Sequence, residues 1–144
     1  MGIAVEELDK QGNDSPTLVY ISLPSSGEAS NDRYEGFKEV VLESYPNAEI
    51  IEEGDSEGNR NSAQTLFENV LQRTKDVDIV SGHNDELVLG AYNAAVSSNK
   101  ASEIKFIGMA GDKEVLTYIE EGNESWIGEV LQDPVVLGET ALRA

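Results

Sequence analysis

The feature that most constrains the fold is a short apolar run that gives way, within a few residues, to apolar residues at helical spacing. Between Asp78 and Ala91 a β-branched run ends at Gly82, small polar residues follow, and a helical apolar pattern begins. This order predicts a buried strand, a tight turn and a helix N-terminus. Other stretches of the chain repeat it, which predicts that strands and helices alternate along the sequence.

The alternation can be followed through the whole chain. The strands are expected at Thr17–Leu23, Ala48–Glu52, the run ending at Gly82, Lys105–Ala110 and Trp126–Leu131. Helices are expected at Ile3–Leu8 and Ser30–Tyr45, after each later strand, and from Pro134 at the end of the chain. The fold class is therefore predicted to be α/β, a three-layer doubly wound five-stranded parallel sheet in the flavodoxin-like order 2-1-3-4-5. Residues 1–144 are expected to form a single domain.

Several polar residues are of the types that cap helices. Asn61 and Gln64 are expected to form a pair resembling a capping box at the start of the helix after the second strand. Helix-capping residue types stand where the later helices should begin, and a cap alone would account for each of them: Asn84, Asp85, Asp112 and Asp133. For the three aspartates a capping role explains the residue better than ligand contact.

The charge of the chain limits its partners. With 28 acidic and 10 basic residues, the formal net charge is −18. Nucleic acids and anionic membranes are not expected partners, because binding polyphosphate requires a basic surface. A solvated acidic surface is the simplest explanation, and adaptation to high salt stays open.

Residue types that make metal and catalytic sites are scarce. The chain has no cysteine, which excludes disulfides and thiolate ligands, and its one histidine, His83, favours neither a metal site nor a catalytic triad. We therefore expect no cofactor and no enzymatic activity. No apolar run approaches the length of a spanning helix, and the first residues lack a signal-peptide pattern, so a mature or excised portion of an exported protein remains open.

Polar residues follow each predicted strand. They are Arg33, Asn59, Asn84, Asp112 and Gln132. Because ligands of open parallel sheets bind at the carboxyl ends of the strands, these residues are the predicted ligand-binding set. Their mixture of donors and acceptors suits a neutral polyhydroxylated molecule, and no phosphate-binding loop is present.

Three segments carry a family resemblance. Arg33–Phe37 reads RYEGF and has the pattern R-x-x-G-F, His83–Ala91 reads HNDELVLGA and resembles N-D-x-x-A-L-G-A, and Gln132–Gly138 reads QDPVVLG and is similar to Q-D-P-x-x-x-G. In order and spacing, across almost the whole chain, they resemble the carboxy-terminal lobe of the periplasmic sugar-binding proteins of the ribose-binding type.

The resemblance implies a two-lobe protein that grips its ligand between the lobes. On that basis Arg33, Asn84 and Gln132 would hydrogen-bond to sugar hydroxyls. The partners would be a sugar or polyol, a missing N-terminal lobe and an ABC permease, and the location would be periplasmic or otherwise extracytoplasmic. An isolated lobe exposes the surface that should face its partner, so self-association is also expected.

Two positions depart from the family pattern. The family places an aspartate after the fourth strand, where this chain has Ala110 with Asp112 nearby. The family also has an aromatic residue within W/F-D-R after the second strand, where this chain has Gly58-Asn59-Arg60. Polyol, aminosugar and autoinducer ligands therefore stay open beside ordinary pentoses and hexoses.

Two other classes of protein share the expected fold. The effector-binding core of a LacI-type transcription regulator also carries the N-D segment. An enzyme or flavin carrier on a flavodoxin-like sheet is the third hypothesis, against which stand the missing phosphate loop and the missing nucleophile–base pair.

Overall fold

The computed structural model describes residues 2–12, 15–24, 27–54, 57–74, 76–109, 113–123, 125–130 and 141–142. Within them the helices are α1 (Gly2–Gln11), α2 (Glu28–Ser44), α3 (Arg60–Arg73), α4 (Asp85–Ser97) and α5 (Lys113–Glu120), with one 3-10 turn at Ala101–Glu103. The strands are β1 (Thr17–Ser22), β2 (Glu49–Gly54), β3 (Ile79–Gly82), β4 (Lys105–Met109), β5 (Trp126–Val130) and β6 (Ala141–Leu142).

The strands form one sheet in the order β2-β1-β3-β4-β5-β6. The first five are parallel, which confirms the predicted order 2-1-3-4-5. The addition is β6, which pairs antiparallel with β5 through Val130 and Ala141. A helix, not a strand, was expected from Pro134 at the end of the chain, so the expectation is wrong at Ala141 and Leu142. The rest of that stretch lies outside the described residues.

Alternate residues of β1 point to opposite faces of the sheet. Val19 and Ile21 join a cluster under α3, α4 and α5, whereas Leu18 and Tyr20 join a second cluster under α1 and α2. All four side chains are fully buried. A strand covered on both faces reads as a continuous apolar run, which is why the sequence of β1 shows no polar alternation.

The helices bury the apolar stripes that their spacing predicted. In α2 the buried side chains are Tyr34, Phe37 and Val41, and in α3 they are Ala63, Phe67, Val70 and Leu71. These positions recur every three or four residues and so lie on one side of each helix. The acidic side chains of α2 are exposed, which places part of the acidic charge on the surface.

The helices α3 and α4 cross in close contact at Gly90. A Cβ atom there would stand 2.4 Å from the Arg60 carbonyl oxygen and 2.7 Å from the Ala63 Cβ. Real Cβ atoms do not approach so closely, so only glycine allows the two helices to cross at this distance.

The chain's one tryptophan lies in an aromatic cluster between α4, α5 and the sheet. Trp126 is fully buried, stacks on Tyr118 with ring centroids 5.8 Å apart, and also contacts Tyr92 and Phe106. Its fluorescence should therefore report on the packing of this face of the sheet.

Candidate functional site

The candidate site lies at the carboxyl edge of the sheet, where three neighbouring strands end together. Ser22 of β1 is in register with Gly54 of β2, and Ile21 of β1 is in register with Gly82 of β3. The loops that leave these strands lead into α2, α3 and α4. Polar residues near the starts of these helices are therefore brought to one edge, as expected for a doubly wound sheet.

Arg33 and Asn84 are brought together by a hydrogen bond between their elements. Nη1 of Arg33 donates to the main-chain carbonyl oxygen of His83, the residue directly before Asn84. The His83 amide in turn donates to the Ile21 carbonyl oxygen at 2.9 Å. Arg33 is half-buried and lies in the second turn of α2, because the helix begins at Glu28 rather than at the predicted Ser30.

Asn84 is the N-cap of α4. Its Oδ1 accepts a hydrogen bond from the Leu87 amide at 3.1 Å, and its backbone is extended. The prediction that Asp85 caps this helix is wrong, since Asp85 is the first helical residue and is buried. The cap uses the carbonyl oxygen of the Asn84 side chain, so the two amide protons are what this residue offers to a ligand.

Asn59 is the N-cap of α3 and forms a capping box with Ser62. Its Oδ1 accepts from the Ser62 amide at 2.8 Å, and the Ser62 hydroxyl lies 3.4 Å from the Asn59 amide. The predicted pair of Asn61 and Gln64 is therefore wrong by two positions. The reason is that the chain turns helical at Arg60, so Asn61 already lies inside the helix.

Two predicted site residues, Asp112 and Gln132, lie outside the described residues, as do Ala110 and Asp133. Their roles as ligand contacts or helix caps stay predictions. The described part of the predicted set is Arg33, Asn59 and Asn84, and among these the structure joins Arg33 to the strand end that carries Asn84.

Gly58 occupies the loop position where the family pattern has an aromatic residue. Its φ is +71°, and an added Cβ would stand 2.9 Å from the Leu23 Cδ1. The positive φ favours glycine at this position, and a larger residue would also have to displace the end of the Leu23 side chain. Glycine itself carries no ring, so no side chain at this position stacks on a ligand.

An ion-pair network at the same edge is the feature that the sequence did not resolve. Arg60 Nη2 lies 2.8 Å from Glu86 Oε1, and Arg60 Nη1 lies 2.9 Å from Glu114 Oε1. The Tyr118 hydroxyl donates to the other oxygen of Glu114 at 3.1 Å. The hydrogen bond to Glu86 is the main cause that raises the pKa of Arg60 above its usual value. The chain has 28 acidic residues, so the sequence alone could not identify Glu86 and Glu114 as the partners of Arg60.

His83 is buried, and its Nδ1 has no hydrogen-bond partner. Burial lowers the pKa of the imidazole, and the positive charge of nearby Arg33 lowers it further. Both effects favour the neutral ring, because an imidazolium there would be poorly hydrated and close to a like charge. The edge of the site therefore carries an imidazole that resists protonation.

The described part of the chain contains neither a cluster of metal-ligating side chains nor a membrane-spanning helix. No group of three His, Cys, Asp or Glu side chains there is arranged to hold a metal ion. None of its helices combines the length and the apolar character needed to cross a bilayer.

Residues 2–144 match the family model described as the periplasmic binding protein domain. The chain belongs to this family. Its members named below are binding and import proteins rather than enzymes. The predicted resemblance to the sugar-binding proteins of the ribose-binding type is confirmed as a family assignment.

Curated relatives include two sugar-binding proteins. The ribose import binding protein RbsB of Bacillus subtilis strain 168 is 30% identical over 136 residues, which cover 94% of this chain and 42% of the relative. The D-allose-binding periplasmic protein of Escherichia coli K12 is 24% identical over 139 residues, covering 94% of this chain and 43% of the relative. The chain thus spans about two fifths of the length of these relatives.

Solved structures share the fold of this chain. An ABC transporter solute binding protein from Bacillus halodurans C-125 with bound myo-inositol superposes with a TM-score of 0.74 at 25% identity, covering 88% of this chain and 43% of that one. The periplasmic binding protein component of the arabinose ABC transporter from Shewanella sp. ANA-3 superposes with a TM-score of 0.76 at 24% identity. The match covers 92% of this chain and 44% of that one. At 24% identity, the likeness to the second structure shows a shared fold only.

Proposed function

We propose that this chain is the carboxy-terminal lobe of a two-lobe ABC transporter solute-binding protein, and that it holds a sugar or polyol at the carboxyl edge of its sheet. The observation that carries the proposal is the hydrogen bond from Arg33 to the His83 carbonyl oxygen. This bond brings the guanidinium of one helix to the strand end that presents Asn84 from another. In this proposal Asn59, Asp112 and Gln132 complete the ligand set from the neighbouring loops.

The chemistry of Arg33 and Asn84 supports a ligand rich in hydroxyl groups. A guanidinium has only donors, and the cap leaves Asn84 with its amide protons for a ligand. Hydroxyl oxygens accept such bonds and need no opposite charge. Because Gly58 carries no ring to stack on a ligand, the ligand is expected to be held mainly by hydrogen bonds on this side. Without a stacking ring on this side, a polyol or a furanose should bind as readily as a pyranose.

The relatives support the same class of ligand and the same role. Their names refer to ribose, D-allose and arabinose, and one solved structure contains myo-inositol. The coverage of about two fifths supports one lobe of two, with an N-terminal lobe and an ABC permease as partners and a periplasmic or extracytoplasmic location. Hinge closure on the ligand would create the form that the permease recognises. The import and solute-binding names favour transport over the regulator alternative.

The proposal is tested by measuring sugar binding to the isolated chain. Calorimetry with ribose, allose, arabinose and myo-inositol should find millimolar or undetectable affinity, because half of the contacts belong to the other lobe. Nuclear magnetic resonance titration detects such weak binding and should show shifts at the side-chain amide of Asn84 and the guanidinium of Arg33. An Asn84→Ala variant should lose the shifts at Arg33, whereas Asn61→Ala, an exposed amide in the neighbouring helix, should retain them.

Three results would contradict the proposal. Micromolar affinity of the isolated chain would show that one lobe forms the whole site. Shifts confined to the opposite edge of the sheet would show that the site is wrong. If no sugar shifts any signal at the highest concentration that the titration can reach, the ligand class is wrong.

Self-association of the isolated chain stays a prediction. Among the residues whose side chains the structure describes, Val96 is the one large apolar side chain that is exposed, at 48%. Sedimentation velocity across a range of concentrations measures the outcome directly.

A further inference from the structure

Arg60 connects the first turns of three helices at the carboxyl edge of the sheet. It is the first residue of α3, while Glu86 and Glu114 are the second residues of α4 and α5. Two of its nitrogens, Nε and Nη2, face the two oxygens of Glu86 at 3.4 and 2.8 Å, and Nη1 reaches Glu114 at 2.9 Å. A guanidinium is the one side chain that can contact both carboxylates with a fixed planar fork.

The placement of these charges is informative. A cation in the first turn of a helix opposes the helix dipole, whereas carboxylates in the first turns of α4 and α5 are favoured by it. The side chains of Arg60, Glu86 and Glu114 are 31%, 46% and 40% exposed, so solvent screens the pairs and their contribution to overall stability is small. Because solvent screens these ion pairs, the planar fork of Arg60 fixes the relative positions of the helix starts more than it adds to the free energy of unfolding.

The backbone of Arg60 contacts the same helix that its side chain holds. The Arg60 carbonyl oxygen lies against Gly90, where even a Cβ atom would stand only 2.4 Å away. Glu86 lies one turn before Gly90 on the same side of α4. Arg60 therefore touches α4 at two points one turn apart, which restricts the rotation of α4 about its own axis.

That rotation decides where Asn84 points. Asn84 precedes Glu86 by two residues, and its side chain is tied to the first turn of α4 through the Leu87 amide. We propose that Arg60 is a positioning residue, which holds the first turn of α4 in the rotation that presents the Asn84 amide to the ligand. The proposal deepens the proposed function and rests on it for the identity of the ligand. Arg60 itself need not contact the ligand.

Hydrogen exchange of the isolated chain tests the positioning directly. In Arg60→Gln the Leu87 amide should exchange about fivefold faster, as expected when the support of a helix cap is lost. The Ala94 amide, two turns further along α4, is the internal reference, so that a general loss of stability cancels in the ratio of the two rates. Arg60→Lys should behave like Arg60→Gln, because an ammonium group cannot form the planar fork on Glu86.

The matched control is Arg73→Gln. Arg73 is the last residue of α3 and pairs with Glu53, so this variant also removes one arginine and one ion pair from the same helix. It lies at the opposite end of α3 from Arg60, and the Leu87-to-Ala94 ratio should stay at its original value. Equal ratios in Arg60→Gln and the unmodified chain, or restoration of that ratio by lysine, would overturn the proposal.

The sugar titration separates this proposal from the proposed function. In Arg60→Gln the ligand-induced shift of the Asn84 amide should weaken, while Arg73→Gln retains it. If the exchange ratio changes as expected but no sugar shifts Asn84 in the unmodified chain, the positioning role stands and the proposed function fails. If sugars shift Asn84 equally in the unmodified chain and Arg60→Gln, the proposed function stands and the positioning role fails.

Discussion

Replacing Gly90 by alanine tests the close crossing of α3 and α4 on which the site depends. The new Cβ would stand 2.4 Å from the Arg60 carbonyl oxygen, 2.7 Å from the Ala63 Cβ and 2.9 Å from the Gln64 amide nitrogen. Two of these atoms belong to the backbone, so the helices must separate. Overpacking of this kind costs about 3 kcal/mol, while alanine gains about 1 kcal/mol in helix propensity, so the free energy of unfolding should fall by roughly 2 kcal/mol.

Urea unfolding followed by the fluorescence of Trp126, the one tryptophan, measures the change. The midpoint should fall by about 1 M in urea, and the thermal midpoint by about 8 °C. Gly36→Ala is the matched control, because Gly36 is exposed inside α2 and an added Cβ meets no atom within 4 Å. That variant should gain up to about 1 kcal/mol. Equal stability of Gly90→Ala and the unmodified chain would refute the packing argument.

Two further predictions concern the caps and the buried imidazole. Asn59→Ala should lower the free energy of unfolding by about 1 kcal/mol, because the capping box is lost. Asn61→Ala should change it by less than about 0.5 kcal/mol. If urea unfolding shows the larger loss for Asn61→Ala, Asn61 is the cap and the assignment of Asn59 is wrong. Burial lowers the pKa of the His83 imidazole below its ordinary value of 6.5. As the pH falls, the unfolded chain therefore binds a proton at this imidazole before the folded chain does. The contribution of the neutral His83 to the free energy of unfolding should be fully present above about pH 6.5 and should be lost as the pH drops toward the lowered pKa. His83→Gln should remove this part of the pH dependence of the urea midpoint, and an unchanged slope would contradict it.

The sheet was predictable because its pattern is repeated and local. Each apolar run followed by a turn and a helical stripe predicts one strand–helix unit, and parallel order follows from the alternation. β6 escaped prediction because two residues, Ala141 and Leu142, are too few to show a period. Its pairing is decided by β5, which offers an open edge.

The helix starts were less predictable than the helices. Asn59 and Asn61 are the same residue type two positions apart, and local sequence supports either as a cap. The tertiary structure decides between them, because the packing of Ala63 and Phe67 against the core sets the register of α3 and leaves Asn59 extended at its end.

By itself the sequence determined the α/β class, the order of the parallel strands, the family and the residues that follow the strands at one edge. These depend on periodicity and motifs within short segments. Only the tertiary structure decided that Arg33 donates to the His83 carbonyl oxygen, and that Arg60 joins Glu86 and Glu114 while its backbone meets Gly90. The partners in these contacts are 26 to 54 positions apart. A main-chain acceptor and a surplus of similar carboxylates leave no trace in the sequence that would identify such partners.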